Sequence, residues 1–193
     1  MADSQQLSRL VASAEDFADA LKTLRDEVPR DAARDVTDIT GAIGELYRIS
    51  TILRQLRDAF EAPRYEDRIY RIQSDVRLVY RSAQRTLTTA LGMVGRANDM
   101  SQWMIWDDLD HRMRVVERAA LLVRLRWYYN LTQGLLDQLE GYPFDETLAR
   151  IKGKLQGLLE RQQEEPPSPG WSYRVIEPCE SWPLSPIRID CRY

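Results

Sequence analysis

The stretch IYRIQSDVRLVYRSAQRTLTTALGMV, residues 69–94, decides the fold class. Its apolar residues Ile69, Ile72, Val76, Val79, Ala83, Leu87, Leu91 and Val94 recur at steps of three and four. At about 100° per residue, that spacing keeps them on one face of an α-helix. On the same wheel Arg77, Arg81 and Arg85 form an i, i+4, i+8 row beside the apolar stripe, with Arg64, Arg68 and Arg71 at its start. The spacing predicts a long helix with one buried face and one solvated basic face.

The same period extends in both directions. Leu7, Leu10, Ala14, Phe17, Leu21, Leu24 and Val28 make a first run, with Ser4 as its expected N-cap and Pro29 ending it. Val36, Ile39, Ile43, Leu46, Leu53, Leu56 and Phe60 make a second, stopped at Ala62-Pro63. The fourth run reads Leu109, Met113, Val116, Ala120, Val123, Trp127, Leu131, Leu135 and Leu139, with Gly141 placed for a left-handed C-cap. A shorter fifth run holds Leu148, Ile151, Leu155 and Leu158. Runs of about 30 residues make helices about 45 Å long. A helix striped on one face must bury it against others, and short turns make neighbours antiparallel. The expected fold is all-α: an antiparallel up-down bundle of four long helices plus a shorter fifth, with an irregular C-terminal tail.

Proline usage places the boundary. Three of nine prolines fall before residue 165 and the other six between Pro166 and Pro186. We therefore expect a helical body over 1–165 and a tail over 166–193. The tail is rich in aromatics for a disordered segment, with Trp171, Tyr173, Trp182 and Tyr193. That favours folding back onto the bundle or docking on a partner. Pro166-Pro-Ser-Pro169 contains a minimal P-x-x-P, and Ser168 and Ser185 each precede a proline. These resemble SH3-ligand and proline-directed phosphorylation sites.

Composition narrows the function classes. The 193 residues are 44% hydrophobic and 30% charged, with a formal net charge of −3. That balance excludes a strongly basic nucleic-acid coat, and no nucleic acid is expected as partner. One histidine and two cysteines are too few for a structural zinc site or a disulfide-stapled fold. No apolar run approaches the roughly 20 residues of a membrane span. The polar start, Met1-Ala-Asp-Ser-Gln-Gln6, is unlike a signal peptide. A cytoplasmic protein is the expectation, with Cys179 and Cys191 as free thiols and a bridge between them as the alternative.

Chemistry-bearing motifs are scarce. His111 stands beside Asp107, Asp108 and Asp110, but it lies about 200° from the Leu109 stripe and should face solvent. The acids around it suit a helix N-terminus, with Asp107 as a cap behind a lid at Trp106. No G-x-S-x-G elbow occurs. Gly41-Ala-Ile-Gly44 and Gly92-Met-Val-Gly95 fall within helical runs, as do Gly153 and Gly157, and read as points of close helix approach. A bundle enzyme would need an inward polar constellation; a core of apolar side chains alone would exclude it. We expect no enzyme activity, no cofactor and no metal.

Binding surfaces remain. Of 27 basic residues 24 are Arg. The Arg77, Arg81 and Arg85 face suits anionic lipid, RNA or an acidic partner, or is plain solvation, or pairs with the acids of residues 1–40, nine against five bases. Trp127 belongs to the core stripe, which leaves Tyr129, about 200° away, as an exposed contact. Long amphipathic helices also allow a domain-swapped or coiled-coil homodimer.

The opening Leu7-Ser-Arg-Leu-Val-Ala-Ser-Ala-Glu-Asp-Phe-Ala-Asp-Ala-Leu21 resembles the start of uncharacterised helical-bundle proteins of filamentous fungi. So do Glu45-Leu-Tyr-Arg-Ile-Ser-Thr-Ile-Leu-Arg-Gln-Leu56 and Arg71-Ile-Gln-Ser-Asp-Val-Arg-Leu-Val79. More distantly, the register over residues 5–140 is similar to the N-terminal helical domains of fungal NTPase/ankyrin (STAND-type) signalling proteins. The resemblance implies an interaction or signalling bundle without catalytic residues. The polar N-terminus departs from the membrane-acting relatives, which begin with an apolar, Gly-rich helix.

The expected function is thus a non-enzymatic protein-interaction or signalling-adaptor bundle, with protein partners unknown. Its contact residues are Arg77, Arg81, Arg85 and Tyr129 on the bundle and Trp171, Tyr173 and Trp182 in the tail. The alternative is a peripheral membrane-associated bundle that binds anionic lipid through the basic third helix.

Overall fold

Helices end where the chain loses its backbone donors or can turn left-handed. The computed structural model describes residues 2–28, 33–95, 102–115, 119–143 and 145–164. They form α1 (Ala2–Glu27), α2 (Ala33–Glu61), α3 (Glu66–Val94), α4 (Gln102–Val115), α5 (Leu121–Glu140) and α6 (Glu146–Glu164), with a 3-10 turn at Pro63–Tyr65. The protein is all-helical over the described residues.

Pro63 takes the first position of the 3-10 turn, where its missing N–H breaks no bond. Gly141 ends α5 at φ 103°. The Gly141 and Tyr142 N–H groups close on the Gln138 and Asp137 carbonyls at 3.1 and 2.9 Å, a conformation that only glycine holds without strain. Asp145 caps α6 by accepting the Leu148 N–H at 2.8 Å. Ser4 is not the cap expected of it. It lies within α1, and its hydroxyl donates to Glu61 Oε1 at 2.6 Å, tying α1 to the far end of α2.

Inter-helix contacts give the directions. Ser4 meets Glu61, Glu15 meets Arg54 and Asp19 meets Tyr47, so α1 and α2 are antiparallel. Arg68 meets the Leu139 carbonyl while Ser82 and Thr86 meet Tyr128, so α3 and α5 are antiparallel too. Across the two hairpins the sense differs. Gly41 lies by Leu122, Glu45 by Arg126 and Arg48 by Tyr129, which makes α2 and α5 parallel. The long helices pack as α1–α2, α2–α5, α5–α3 and α3–α1. Thus α2 and α3, although joined by a short turn, are not the side-by-side antiparallel neighbours that the turn length suggested.

The fourth run is two helices, not one. Leu109 and Met113 are buried in α4 and Leu131, Leu135 and Leu139 in α5, but Val123 is exposed and Trp127 only half-buried. The α5 stripe is Leu121, Arg124, Leu125, Tyr128, Leu131, Thr132 and Leu135. A break between Val115 and Leu121 resets the helical phase, which a continuous 100° count cannot register. Trp106 and Asp107 are not an entry lid and cap either, because α4 begins upstream of them at Gln102. Both lie inside α4, where Trp106, Ile105, Leu109 and Met113 enter the common core.

The smaller α6 packs outside α3 and α5, burying Ile151, Leu155 and Leu158. Leu148 sits over Gly134, where an added Cβ would come within 2.2 Å of Leu148 Cδ1. Close helix approach is expected at Gly41, Gly44, Gly92, Gly95, Gly153 and Gly157, but the tight inter-helix contact is at Gly134. Gly41 meets Leu122 at an ordinary 3.6 Å, Gly95 and Gly157 lie 3.2 and 3.5 Å from Leu91 O and Arg161 Nη1 of their own segments, and Gly44, Gly92 and Gly153 meet nothing within 4 Å. Lys152 adds an ion pair to Asp75 of α3 at 2.6 Å.

Candidate functional site

An open groove of about 350 Å³ lies between α2 and α5, lined by Tyr47, Arg48, Thr51, Ile52, Gln55, Tyr129 and Gln133. Parallel packing places Arg48 level with Tyr129, and the guanidinium lies over the ring at 4.1 Å from its centroid. Glu45, only 8% exposed, holds it there: Arg48 Nη1 donates to one carboxylate oxygen at 3.1 Å and Arg126 Nε to the other at 3.2 Å. Two cations, Arg48 lining the groove and Arg126 beside it, share one carboxylate, which leaves one positive charge in excess. Ile52 supplies the apolar floor, and Thr51, Gln55 and Gln133 offer hydroxyl and amide groups.

Tyr47 is fixed on its other side. Its hydroxyl donates to Asp19 Oδ1 at 3.0 Å, and Lys22 Nζ lies 4.8 Å from its ring centroid. The Asp19 carboxyl is held below the usual aspartate range, first by the hydrogen bond from Lys22 and then by that from Tyr47. This edge of the groove is braced by α1.

The arginine row on α3 is exposed, as its spacing predicts: Arg77, Arg81 and Arg85 all face solvent. An acid from the first 40 residues does pair with it, Asp3 reaching Arg77 Nε at 3.5 Å and also accepting Gln73 Nε2 at 2.7 Å. Tyr129 does not join these arginines. It faces α2, whereas Arg77 faces α1, so the sequence-chosen contacts stand on opposite sides of the bundle. Trp171, Tyr173 and Trp182 lie outside the described residues, as do Cys179, Cys191, Ser168 and Ser185.

The core holds a polar group that the apolar stripes did not announce. Arg124 is fully buried and Tyr128 is 1% exposed. Arg124 donates through Nε to the Ala119 carbonyl at 2.8 Å, through Nη2 to the Met113 carbonyl at 3.2 Å and through Nη1 to Thr86 Oγ1 at 3.4 Å. The Tyr128 hydroxyl shares hydrogen bonds with Thr86 Oγ1 at 2.8 Å and Ser82 Oγ at 3.1 Å, and also reaches the Ser82 carbonyl. Thr132 completes the buried polar set on α5. The core is therefore not apolar alone. None of these five side chains is a carboxylate or imidazole. Their geometry ties the end of α4 to α3 and α5.

A signal for Arg124 and Tyr128 was present. Counting back from Leu139 in steps of three and four gives Leu135, Leu131, Tyr128 and Arg124, whereas counting forward from Leu109 crosses the break. Arg48 had no such signal, because its partner Tyr129 is 81 positions away and only helix packing joins them.

His111 is exposed, as expected. Among the described residues no group of three or more His, Cys, Asp or Glu side chains is placed to hold a metal ion, and no helix is long and apolar enough to cross a membrane. No family model, no curated protein and no solved structure matches this chain.

Proposed function

We propose that the bundle is a protein-interaction module of the signalling-adaptor kind, and that it docks its partner in the α2–α5 groove. The stacked Arg48–Tyr129 pair carries this reading. Arginine and tyrosine are, with tryptophan, the side chains enriched at the energetic centre of interfaces, because each joins a large flat contact area to a hydrogen-bonding tip. Here both stand on rigid helices beside the apolar Ile52 and amide donors. The groove suits a segment that brings a carboxylate to the rim and an apolar or aromatic side chain to the floor.

A photo-crosslinking residue at Thr51 of the full chain, exposed on the groove rim, tests it in native lysate. The expected result is a discrete protein adduct that Tyr129→Ala abolishes. No adduct, whether to another protein or within the chain, or an adduct indifferent to Tyr129→Ala, overturns the reading.

The second reading, a peripheral membrane bundle, is supported by the exposed row Arg77, Arg81 and Arg85. Each such residue near an anionic surface contributes about 1 kcal/mol. Sedimentation with phosphatidylserine vesicles at low salt separates the two readings. Binding lost on Arg77→Glu/Arg81→Glu supports the membrane reading, and absence of binding refutes it.

A further inference from the structure

We propose that the chain's own C-terminal segment, residues 165–193, occupies the α2–α5 groove, with Glu177-Pro-Cys-Glu-Ser-Trp182 seated over Arg48 and Tyr129. The inference rests on the groove being a docking surface and names its resident occupant.

The first argument comes from the two flanks of α5. Trp127 and Tyr129, two residues apart on one helix, project about 200° from each other. Each has a neighbouring cation over its ring: Lys154 of α6 at 5.1 Å from the Trp127 centroid, and Arg48 of α2 at 4.1 Å from that of Tyr129. The Trp127 flank is covered by a later segment of the same chain, α6. The Tyr129 flank is bounded by α2, and beside Arg48 it leaves an open groove among the described residues.

Reach is the second argument. Leu148 opposes Gly134 and Lys154 opposes Trp127, so α6 runs antiparallel to α5 and Glu164 lies near the start of α5. From there the level of Tyr129 is about 12 Å along the bundle, at 1.5 Å per residue, and the groove lies about one helix diameter, roughly 10 Å, around it. Residues 165–176 span up to about 40 Å when extended, so Glu177 arrives with slack.

Charge and shape choose the stretch. Residues 175–187 carry Glu177 and Glu180 and no basic residue, opposite a rim where Arg48 and Arg126 share the single carboxylate of Glu45. Trp182 offers the flat apolar group that Tyr129 and Ile52 can take. Pro178 and Pro183 suit an extended segment in a shallow groove rather than a further helix.

The test uses the chain's own thiols. Cys179 and Cys191 are its only cysteines, and Cys179 lies inside the proposed stretch. Full-length Thr51→Cys, on the groove rim, is oxidised at micromolar concentration beside Gln84→Cys, which is exposed on α3. Disulfides are assigned by peptide mass spectrometry. A seated segment gives an intramolecular bond to Cys179 about ten-fold or more faster from position 51 than from position 84, because docking raises the local thiol concentration. Added Arg48→Glu should remove that advantage. Equal rates from both positions overturn the proposal, and so do disulfide-linked dimers as the main product, which would seat a second copy instead. Should the rates be equal while the Thr51 photo-adduct still depends on Tyr129, only this proposal falls. Should both experiments fail, the docking reading falls with it.

Discussion

Arg124→Met tests whether the buried guanidinium earns its place by satisfying the end of α4. Methionine keeps much of the stem volume and removes every donor. The Ala119 carbonyl then loses its 2.8 Å partner, while the Met113 carbonyl keeps the Ala119 N–H at 3.1 Å. A buried acceptor left unmet costs about 1–3 kcal/mol, and the part-buried Ala119 carbonyl lies at the low end of that range. Removing a cation from beside the C-terminal carbonyls of α4 loses up to about 2 kcal/mol more. Relief works in the other direction, since a guanidinium no longer has to leave water. Because three of its nitrogens find protein acceptors, that relief is incomplete. The net expectation is a loss of about 2 kcal/mol, or about 4–8 °C in Tm for a chain of this size. Urea denaturation of the full chain measures it, and hydrogen exchange should show the amides of Gln102–Val115 losing protection first. Arg124→Ala adds a cavity and should cost about 1–2 kcal/mol beyond the methionine variant. A methionine variant as stable as the parent would refute the reasoning, since charge burial would then outweigh the carbonyls it serves.

Tyr128→Phe removes one hydroxyl from between Ser82 and Thr86 and should destabilise by about 1–2 kcal/mol, read by the same denaturation, with the m-value unchanged. Gly134→Ala puts a methyl group against Leu148, so a cost of about 1–3 kcal/mol is expected together with a change in Trp127 fluorescence as the first turn of α6 shifts. Asp19 titrates below the usual aspartate range, so its contribution to stability is present above the ordinary carboxyl pKa and is lost as pH falls through the depressed one. Carboxyl NMR titration should show Tyr47→Phe moving this pKa upward but not fully, because Lys22 gives the larger share of the shift.

Periodicity made the helices legible because it is local. The stripes from Leu7 to Val28, from Val36 to Phe60 and from Ile69 to Val94 each follow from residues within one segment, and their buried members join one core. The Leu148–Leu158 run behaves likewise in α6. What failed was continuity. Val116 and Ala120 happen to keep the 3–4 step across the end of α4, so the sequence reads as one helix where the backbone makes two. Exposure of Arg77, Arg81 and Arg85 was equally local and equally readable. Tyr129, expected as an exposed contact because the wheel set it opposite Trp127, is half-buried against the core, and Tyr128, not Trp127, is the fully buried residue. The groove itself depends on the parallel match of α2 with α5. No feature of either segment encodes that match, and only the way two hairpins stack decides it.

The arrangement also explains why contact should concentrate at one seam. Both ends of the bundle are closed. α4 brings Ile105, Trp106, Leu109 and Met113 into the core at one end, and Tyr65 with Glu140 and Arg68 with the Leu139 carbonyl close the other. Ser4–Glu61, Glu15–Arg54 and Asp19–Tyr47 tie the α1–α2 seam along its length. Asp3 clamps Gln73 and Arg77 across α1–α3, and α6 with Lys152 lies against α3 and α5. The α2–α5 seam instead gathers its side-chain ties at one carboxylate, Glu45, and the groove opens just beyond it. There a second surface can enter without breaking a bond the fold depends on, and it meets a guanidinium already oriented by its own carboxylate and ring. Pre-orientation of this kind lowers the entropy lost on binding. It is the physical reason the proposed docking is placed at Arg48 and Tyr129 rather than at the more conspicuous arginine row.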